Sequence, residues 1–166
     1  MRIFGFTNFS MSPSTIDYAL RATWQAVARM YNEEAKHYEL TMAIGFTLLS
    51  IDPKAGTPST ALGPKMGMEA TSLSRILKSI EERGYIERRP NPKDGRGVLI
   101  HLTPLGLNKR ADSKEVVLRF NEVVEEQADQ KDLEGFYRIM EIINRLILDK
   151  QVYTQRETES PINKSH

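Results

Sequence analysis

The 166-residue sequence contains no cysteine, and this absence excludes several classes of protein. A disulfide framework, a cysteine-ligated zinc site and thiol-based redox sensing all require cysteine. The histidines His37, His101 and His166 are far apart and match no metal-ligand spacing, so we predict no metal site. The sequence also shows no nucleophile–base pattern and no phosphate-cradling glycine loop. We therefore expect neither an enzyme nor a bound cofactor.

Long apolar runs are missing as well, since no stretch has the length needed to span a bilayer. The first ten residues include Ile3, Phe4, Phe6 and Phe9, but polar residues and a glycine interrupt them. They do not resemble a signal peptide. We therefore expect a cytoplasmic protein without a membrane partner.

Charge of one sign is not in excess over the whole chain, whose net charge is +1. The distribution is uneven, however. Residues 54–110 hold eleven Lys and Arg against five Asp and Glu, whereas residues 111–150 hold six against ten. A basic region of this kind is typical of proteins that bind nucleic acid or another polyanion, although uneven surface charge is also common without such a partner.

Apolar residues recur every three or four positions over most of the chain, which predicts a mainly α-helical protein. We predict helices at about 14–38, 41–51, 59–66, 69–83, 104–128 and 132–150. Strands at 85–89 and 98–102 flank a turn-rich loop at 90–97 and form a small β-hairpin. The polar residues 151–166 are predicted to be a disordered tail.

The segment from Thr60 to Ile80 has the pattern of a helix-turn-helix. Gly67 lies at the turn, and Gly63 is small enough for a close crossing of the two helices. The second helix has one apolar face, and its other face carries the residues that we predict to contact DNA: Thr71, Ser72, Ser74, Arg75 and Lys78. Hydroxyl groups at a helix N-terminus approach phosphates closely, and Arg75 and Lys78 can contact guanine edges or phosphates. A solvated helix face is the alternative.

The hairpin tip carries two further cations, Lys93 and Arg96, which we add to the predicted DNA contacts. An arginine on such a tip can enter a narrow minor groove, where the negative potential is deepest. Asp94 is predicted to stabilise the wing by pairing with Arg96 or with Arg88 or Arg89. Simple turn chemistry at Asp94 is the alternative, and both can hold together.

Residues 94–106, DGRGVLIHLTPLG, resemble the wing signature of the MarR (multiple antibiotic resistance regulator) family, in which Asp and, two residues later, Arg precede a strand ending in Leu-Thr. Residues 71–77 and 81–88 resemble the recognition helix and following strand of that family. The resemblance implies a winged helix-turn-helix regulator of transcription, most often a repressor. It also implies that the polar face of the second helix reads the major groove while Arg96 enters the minor groove.

The terminal helices hold more apolar positions than a helix-turn-helix needs for its own core, and the resemblance implies that they form a homodimer. We expect an N-terminal extension and dimerisation helix at 1–40, the winged helix-turn-helix at 41–103 and C-terminal dimerisation helices at 104–150. A two-fold dimer places its recognition helices about 34–36 Å apart and therefore binds a pseudo-palindromic operator. The alternative is that these residues all pack within one chain.

Members of the MarR family commonly bind small phenolic, lipophilic or acidic ligands between the dimerisation and DNA-binding regions. Trp24, Tyr31, Tyr38 and Phe46 can line such a pocket, although aromatic residues at helical spacing more often belong to the core. The function that we predict is a sequence-specific, homodimeric repressor released by a small lipophilic or aromatic-acid ligand. The alternative is a winged-helix module for protein–protein contact without sequence-specific DNA binding.

Overall fold

The computed structural model of the chain describes residues 15–92 and 94–153, with the backbone alone at residues 95 and 96. Within them the elements are, in chain order, α1 (Ile16–Lys36), α2 (Met42–Ser50), β1 (Thr57–Pro58), α3 (Ser59–Met66), α4 (Ala70–Glu82), β2 (Ile86–Asn91), β3 (Asp94–Leu102), α5 (Pro104–Gln127) and α6 (Gln130–Leu148). The strands form an antiparallel sheet in the order β1-β3-β2. The mainly helical chain with a small β wing confirms the predicted fold class. No helix among these residues combines the length and the apolar character that crossing a membrane requires.

By its internal packing the chain divides into two units, one ending at Leu118 and the other beginning at Arg119. The core of the first unit combines side chains from α2, α3, α4 and the sheet. Its largest fully buried side chains are Leu48, Ile51, Leu62, Ile80, Ile100 and Thr47. Full burial of a leucine or isoleucine stabilises a fold by about 1.5–3 kcal/mol. This core therefore fixes how α4 lies on the rest of the first unit.

Two glycines end the helices of the helix-turn-helix, as the sequence predicts. Gly67 follows α3 with φ 61° and Gly84 follows α4 with φ 71°, both in the left-handed region. Met68 N donates to Gly63 O at 3.0 Å, and Tyr85 N donates to Ile80 O at 2.9 Å. These bonds form a Schellman motif at each helix end, in which a left-handed glycine lets the chain turn away sharply.

The hairpin corrects one prediction, because strands replace most of the loop predicted at 90–97. β2 extends to Asn91 and β3 begins at Asp94. Pro90 pairs with Val98 and Asn91 pairs with Asp94, so residues 95–97 bulge out of β3. Pro90 has no N–H to donate, and an edge strand such as β2 accommodates this loss. The turn residues therefore shape a bulge within a long hairpin.

Helix α5 begins at the predicted cap. Thr103 Oγ1 accepts a hydrogen bond from Gly106 N at 3.0 Å and donates one to Gly84 O at 2.6 Å. Thr103 N also donates to Tyr85 O at 3.0 Å. The start of α5 is thus joined by three hydrogen bonds to its own first turn and to the turn that follows α4.

The terminal helices leave large apolar side chains exposed among the described residues. On α1, Ile16 is 64% and Trp24 is 52% exposed. Helix α6 contains no buried residue, and it exposes Phe136, Tyr137, Ile139, Ile147 and Leu148. Helices α1 and α6 therefore expose more apolar side chains than the described part of the chain covers, as the sequence predicts.

Candidate nucleic-acid interface

Helix α4 is buried on one side and open to solvent on the other. Leu73, Leu77 and Ile80 belong to the core, and Ile76 packs against it. The polar residues that were predicted to contact DNA are all exposed: Thr71, Ser72, Ser74, Arg75 and Lys78. The core therefore holds this set of side chains on one continuous helix face that a partner can reach.

The start of α4 favours a negatively charged partner. Glu69 precedes the helix but makes no side-chain capping hydrogen bond. The first N–H groups of a helix have no acceptor within the helix, and they carry the positive end of its dipole. Thr71 and Ser72 add hydroxyl donors beside these N–H groups, so this end suits a phosphate.

The cations on the α4 face differ in whether a carboxylate already binds them. Lys78 Nζ lies 3.9 Å from Glu82 Oε1, and the two side chains are 77% and 66% exposed. An exposed pair of this kind contributes only about 0.3–0.5 kcal/mol, so a phosphate can displace Glu82 at little cost. Arg75 has no ion pair or hydrogen bond from its side chain within residues 15–92 and 94–153. Its guanidinium is open to a base edge or a phosphate.

The base of the wing is joined to α4 by an ion pair. Arg88 Nε donates to Glu81 Oε2 at 2.8 Å. The next residue, Arg89, bonds instead to Glu87, and alternation along a strand places it on the opposite face of β2. The structure thus gives both arginines partners other than Asp94. Glu81 had no role in the sequence prediction, because seven positions and a change of element separate it from Arg88.

The wing tip holds the remaining predicted contacts. Lys93 lies outside the described residues, and Arg96 belongs to β3 but its side chain lies outside them too. A Cβ atom at Gly97 would lie 3.1 Å from Asp94 Oδ2 and 3.2 Å from Asn91 Cβ. This close approach favours glycine where the bulge returns to the strand. The roles of Lys93, Asp94 and Arg96 stay predictions.

A small cavity in the first unit is lined by three of the four aromatic residues predicted for a ligand pocket. Tyr31, Tyr38 and Phe46 line it, together with residues of α2 and α5 that include Ser113. Trp24 does not line it, and its ring stacks on Phe46 with the centroids 6.4 Å apart. The cavity measures about 30 Å³. Because ligand pockets usually measure about 300–1,000 Å³, a ligand would have to displace the lining.

The turn after α1 connects this cavity with α4. Lys109 Nζ donates to Tyr38 O at 2.8 Å, and Arg83 Nη1 donates to Glu39 O at 3.1 Å. Arg83 directly follows α4, and Glu39 has the left-handed φ of 58°. Arg83 at the end of α4 is therefore hydrogen-bonded to the carbonyl group of Glu39, which directly follows the cavity-lining residue Tyr38. No periodicity or motif in the sequence marks these long-range bonds.

Comparison with known proteins gives consistent matches. The model of the MarR family matches residues 40–98. The HTH-type transcriptional regulator SarZ of Staphylococcus haemolyticus is 25% identical over 115 residues, which cover 69% of this chain and 78% of SarZ. The multiple antibiotic resistance protein MarR of Escherichia coli is 35% identical over 78 residues, which cover 47% of this chain and 54% of that protein.

Solved structures match over most of the chain. The S. aureus MepR–DNA complex superposes with a TM-score of 0.72 at 17% identity, covering 80% of this chain and 99% of MepR. A cysteine-to-serine mutant of MarR from E. coli, complexed with operator DNA, superposes with a TM-score of 0.68 at 23% identity, covering 76% of this chain and 91% of that mutant. At these identities the likeness shows a shared winged-helix fold.

Proposed function

The chain belongs to the MarR family through the domain at residues 40–98, and from this premise we propose that it is a sequence-specific, DNA-binding regulator of transcription. The observation that carries the proposal is the exposed polar face of α4, whose opposite face the core holds in place. Two similar structures, of MepR and of the MarR mutant, are complexes with DNA, which supports the same docking here. In this docking the α4 face reads the major groove, and Lys93 and Arg96 of the wing contact the adjacent minor groove.

The proposal includes a homodimer. The support is the apolar surface that Ile16 and Trp24 on α1, and several large apolar side chains of α6, leave exposed. Exposed apolar patches of this extent mark association surfaces in soluble proteins. A two-fold dimer places its recognition helices about 34–36 Å apart, which is one turn of DNA, and the operator is then a pseudo-palindrome.

The proposal also includes repression that a small lipophilic or aromatic-acid ligand relieves. The support is the cavity beside Tyr38 and its hydrogen-bonded connection to Arg83 at the end of α4. A ligand shifts a conformational equilibrium only if it binds one state better than the other. Here the ligand would favour a state with a wider cavity, in which the turn at Glu39 and the end of α4 have moved.

A titration by fluorescence anisotropy tests the function directly. The whole chain is titrated with the promoter DNA of its own gene and with a scrambled duplex, at several salt concentrations. We expect a dissociation constant of about 10⁻⁸–10⁻¹¹ M for the specific site and roughly 10³-fold or more weaker binding to the scrambled duplex. Binding that ignores both sequence and salt would refute the proposal and favour a module for protein–protein contact.

Two variants separate base reading from phosphate binding. Arg75→Ala is expected to relax sequence preference, because one bidentate base contact discriminates by about 1–3 kcal/mol. Arg96→Ala is expected to weaken binding evenly across sequences. Arg89→Ala is the matched control, since Arg89 is exposed, is not among the predicted DNA contacts and bonds to Glu87. If Arg75→Ala and Arg96→Ala both bind like the control, the proposed docking is wrong.

A further inference from the structure

Arg88, which is outside the predicted set of DNA contacts, has a partly exposed side chain whose guanidinium is oriented by one ion pair. Arg88 Nε donates to Glu81 Oε2 at 2.8 Å. No other hydrogen bond or ion pair of this guanidinium lies within residues 15–92 and 94–153. Nε carries only one of the N–H donors of an arginine. Since both side chains are 39% exposed, the two terminal nitrogens can donate to a further partner.

The Arg88–Glu81 pair joins the two elements that are proposed to enter the DNA grooves, α4 and the wing. Arg88 lies on β2, the strand that leads from α4 to the wing tip, and Glu81 lies on α4 itself. In the proposed docking α4 occupies a major groove and the wing occupies the adjacent minor groove. One sugar–phosphate strand separates two adjacent grooves. A side chain between α4 and the wing therefore faces that strand.

We infer that Arg88 contacts a phosphate of this strand and that Glu81 is the residue that positions it, an inference that rests on the proposed function. A planar guanidinium binds a phosphate best through two parallel N–H groups. By holding Nε, Glu81 sets the plane of the guanidinium before DNA arrives. Less side-chain freedom is then lost on binding. The Glu81 carboxylate itself repels phosphate, so its contribution is to orientation and not to charge.

The first test is Arg88→Gln, measured on the full chain against specific and scrambled DNA. Loss of one phosphate contact lowers the slope of log K against log salt by about 0.9 for each protomer on the DNA. At 0.1 M salt this corresponds to about eightfold weaker binding per contact. We expect the same factor for both duplexes, because a phosphate contact carries no sequence information. An unchanged salt slope would overturn the inference.

Arg89→Gln is the matched control for Arg88→Gln. It removes the same charge at the neighbouring position, on the opposite face of β2, where Arg89 bonds to Glu87. We expect its salt slope to equal that of the wild type. An equal decrease in both variants would mean that any positive charge on β2 acts in the same way, which contradicts a positioned contact.

Two substitutions of Glu81 test its positioning role, because they are expected to affect DNA affinity differently. Glu81→Gln keeps an oxygen acceptor for Arg88 Nε and removes the repulsive charge, so we expect binding at least as tight as in the wild type. Glu81→Ala removes the acceptor as well, and we expect weaker binding, with a loss that disappears in an Arg88→Gln background. If Glu81→Ala binds as tightly as Glu81→Gln, the positioning role is refuted.

The proposed function and the inference about Arg88 fail in different ways. If the wild-type chain shows no salt-dependent binding to any duplex, the proposed function itself fails. If the wild-type chain binds DNA and Arg88→Gln keeps the wild-type slope, only the inference fails. Circular dichroism and melting curves of each variant, expected to match the wild type, show that the fold is retained during these measurements.

Discussion

The hydroxyl group of Thr103 makes two hydrogen bonds that hold the start of α5. Thr103→Ala removes the acceptor for Gly106 N and the donor to Gly84 O, with bond lengths of 3.0 Å and 2.6 Å in the wild type. Loss of an N-cap hydroxyl costs about 1 kcal/mol. Loss of a further hydrogen bond costs about 1 kcal/mol more. We therefore expect the free energy of unfolding to fall by about 2 kcal/mol, the sum of these two contributions.

The assay for Thr103→Ala is thermal unfolding followed by circular dichroism. In proteins of this size 1 kcal/mol shifts Tm by about 2–4 °C, so we expect a decrease of roughly 4–8 °C. Protein concentration is held constant, because association makes Tm depend on it. Thr103→Ser keeps the hydroxyl and is the matched control, expected to melt close to the wild type. If the alanine and serine variants melt together, the two side-chain bonds do not stabilise the fold as argued.

Substitutions at three other residues test local features. Gly106→Ala places a Cβ 1.8 Å from Tyr85 O, so the backbone must move, and we expect a large loss of soluble, folded protein on expression. Glu39→Gly relieves the left-handed φ of 58° and is expected to raise unfolding free energy by about 0.5–1 kcal/mol in urea titrations, whereas Glu39→Ala is expected to give no gain. Hydrogen bonds from Ala55 N and Lys54 N lower the pKa of Asp52 from its usual 3.8. The hydrogen bonds to the ionised Asp52 carboxylate therefore stabilise the fold fully above the pKa that Asp52 has in the unfolded chain. Their contribution disappears as the pH falls through the lower pKa of Asp52 in the folded chain. The stability of Asp52→Asn should therefore depend less on pH below about pH 4.

The helices were predictable because their signals are local. The predicted range 59–66 coincides with α3 (Ser59–Met66), since Gly67 marks the end of the helix directly in the sequence. The small strand β1 was missed. Thr57 and Pro58 pair with Ile100 and Leu99, and two residues, one of them proline, show no periodicity. This strand exists only because a partner strand lies beside it.

The partners of charged and aromatic side chains were harder to predict than the elements that carry them. The sequence suggested nearby Asp94 as a partner for Arg88, whereas the partner is Glu81 on the preceding helix. In the same way Trp24 belongs to the apolar stripe of α1, yet it stacks on Phe46 and does not line the cavity. Periodicity identifies the face of a helix but not which neighbouring element meets it.

The proposed interface and the proposed dimer together predict one measurable number. Five cations per protomer lie in the proposed interface: Arg75, Lys78, Lys93, Arg96 and the inferred contact Arg88. If each neutralised one phosphate, a single protomer would give a salt slope of roughly −4.5 and a dimer roughly −9. Because Arg75 is proposed to read a base, the true values should be somewhat smaller in magnitude. A slope well beyond the single-protomer limit therefore requires two protomers on the DNA. A slope no steeper than the single-protomer limit, together with a monomer in solution, would mean that the exposed apolar faces of α1 and α6 bind a partner other than a second copy of this chain.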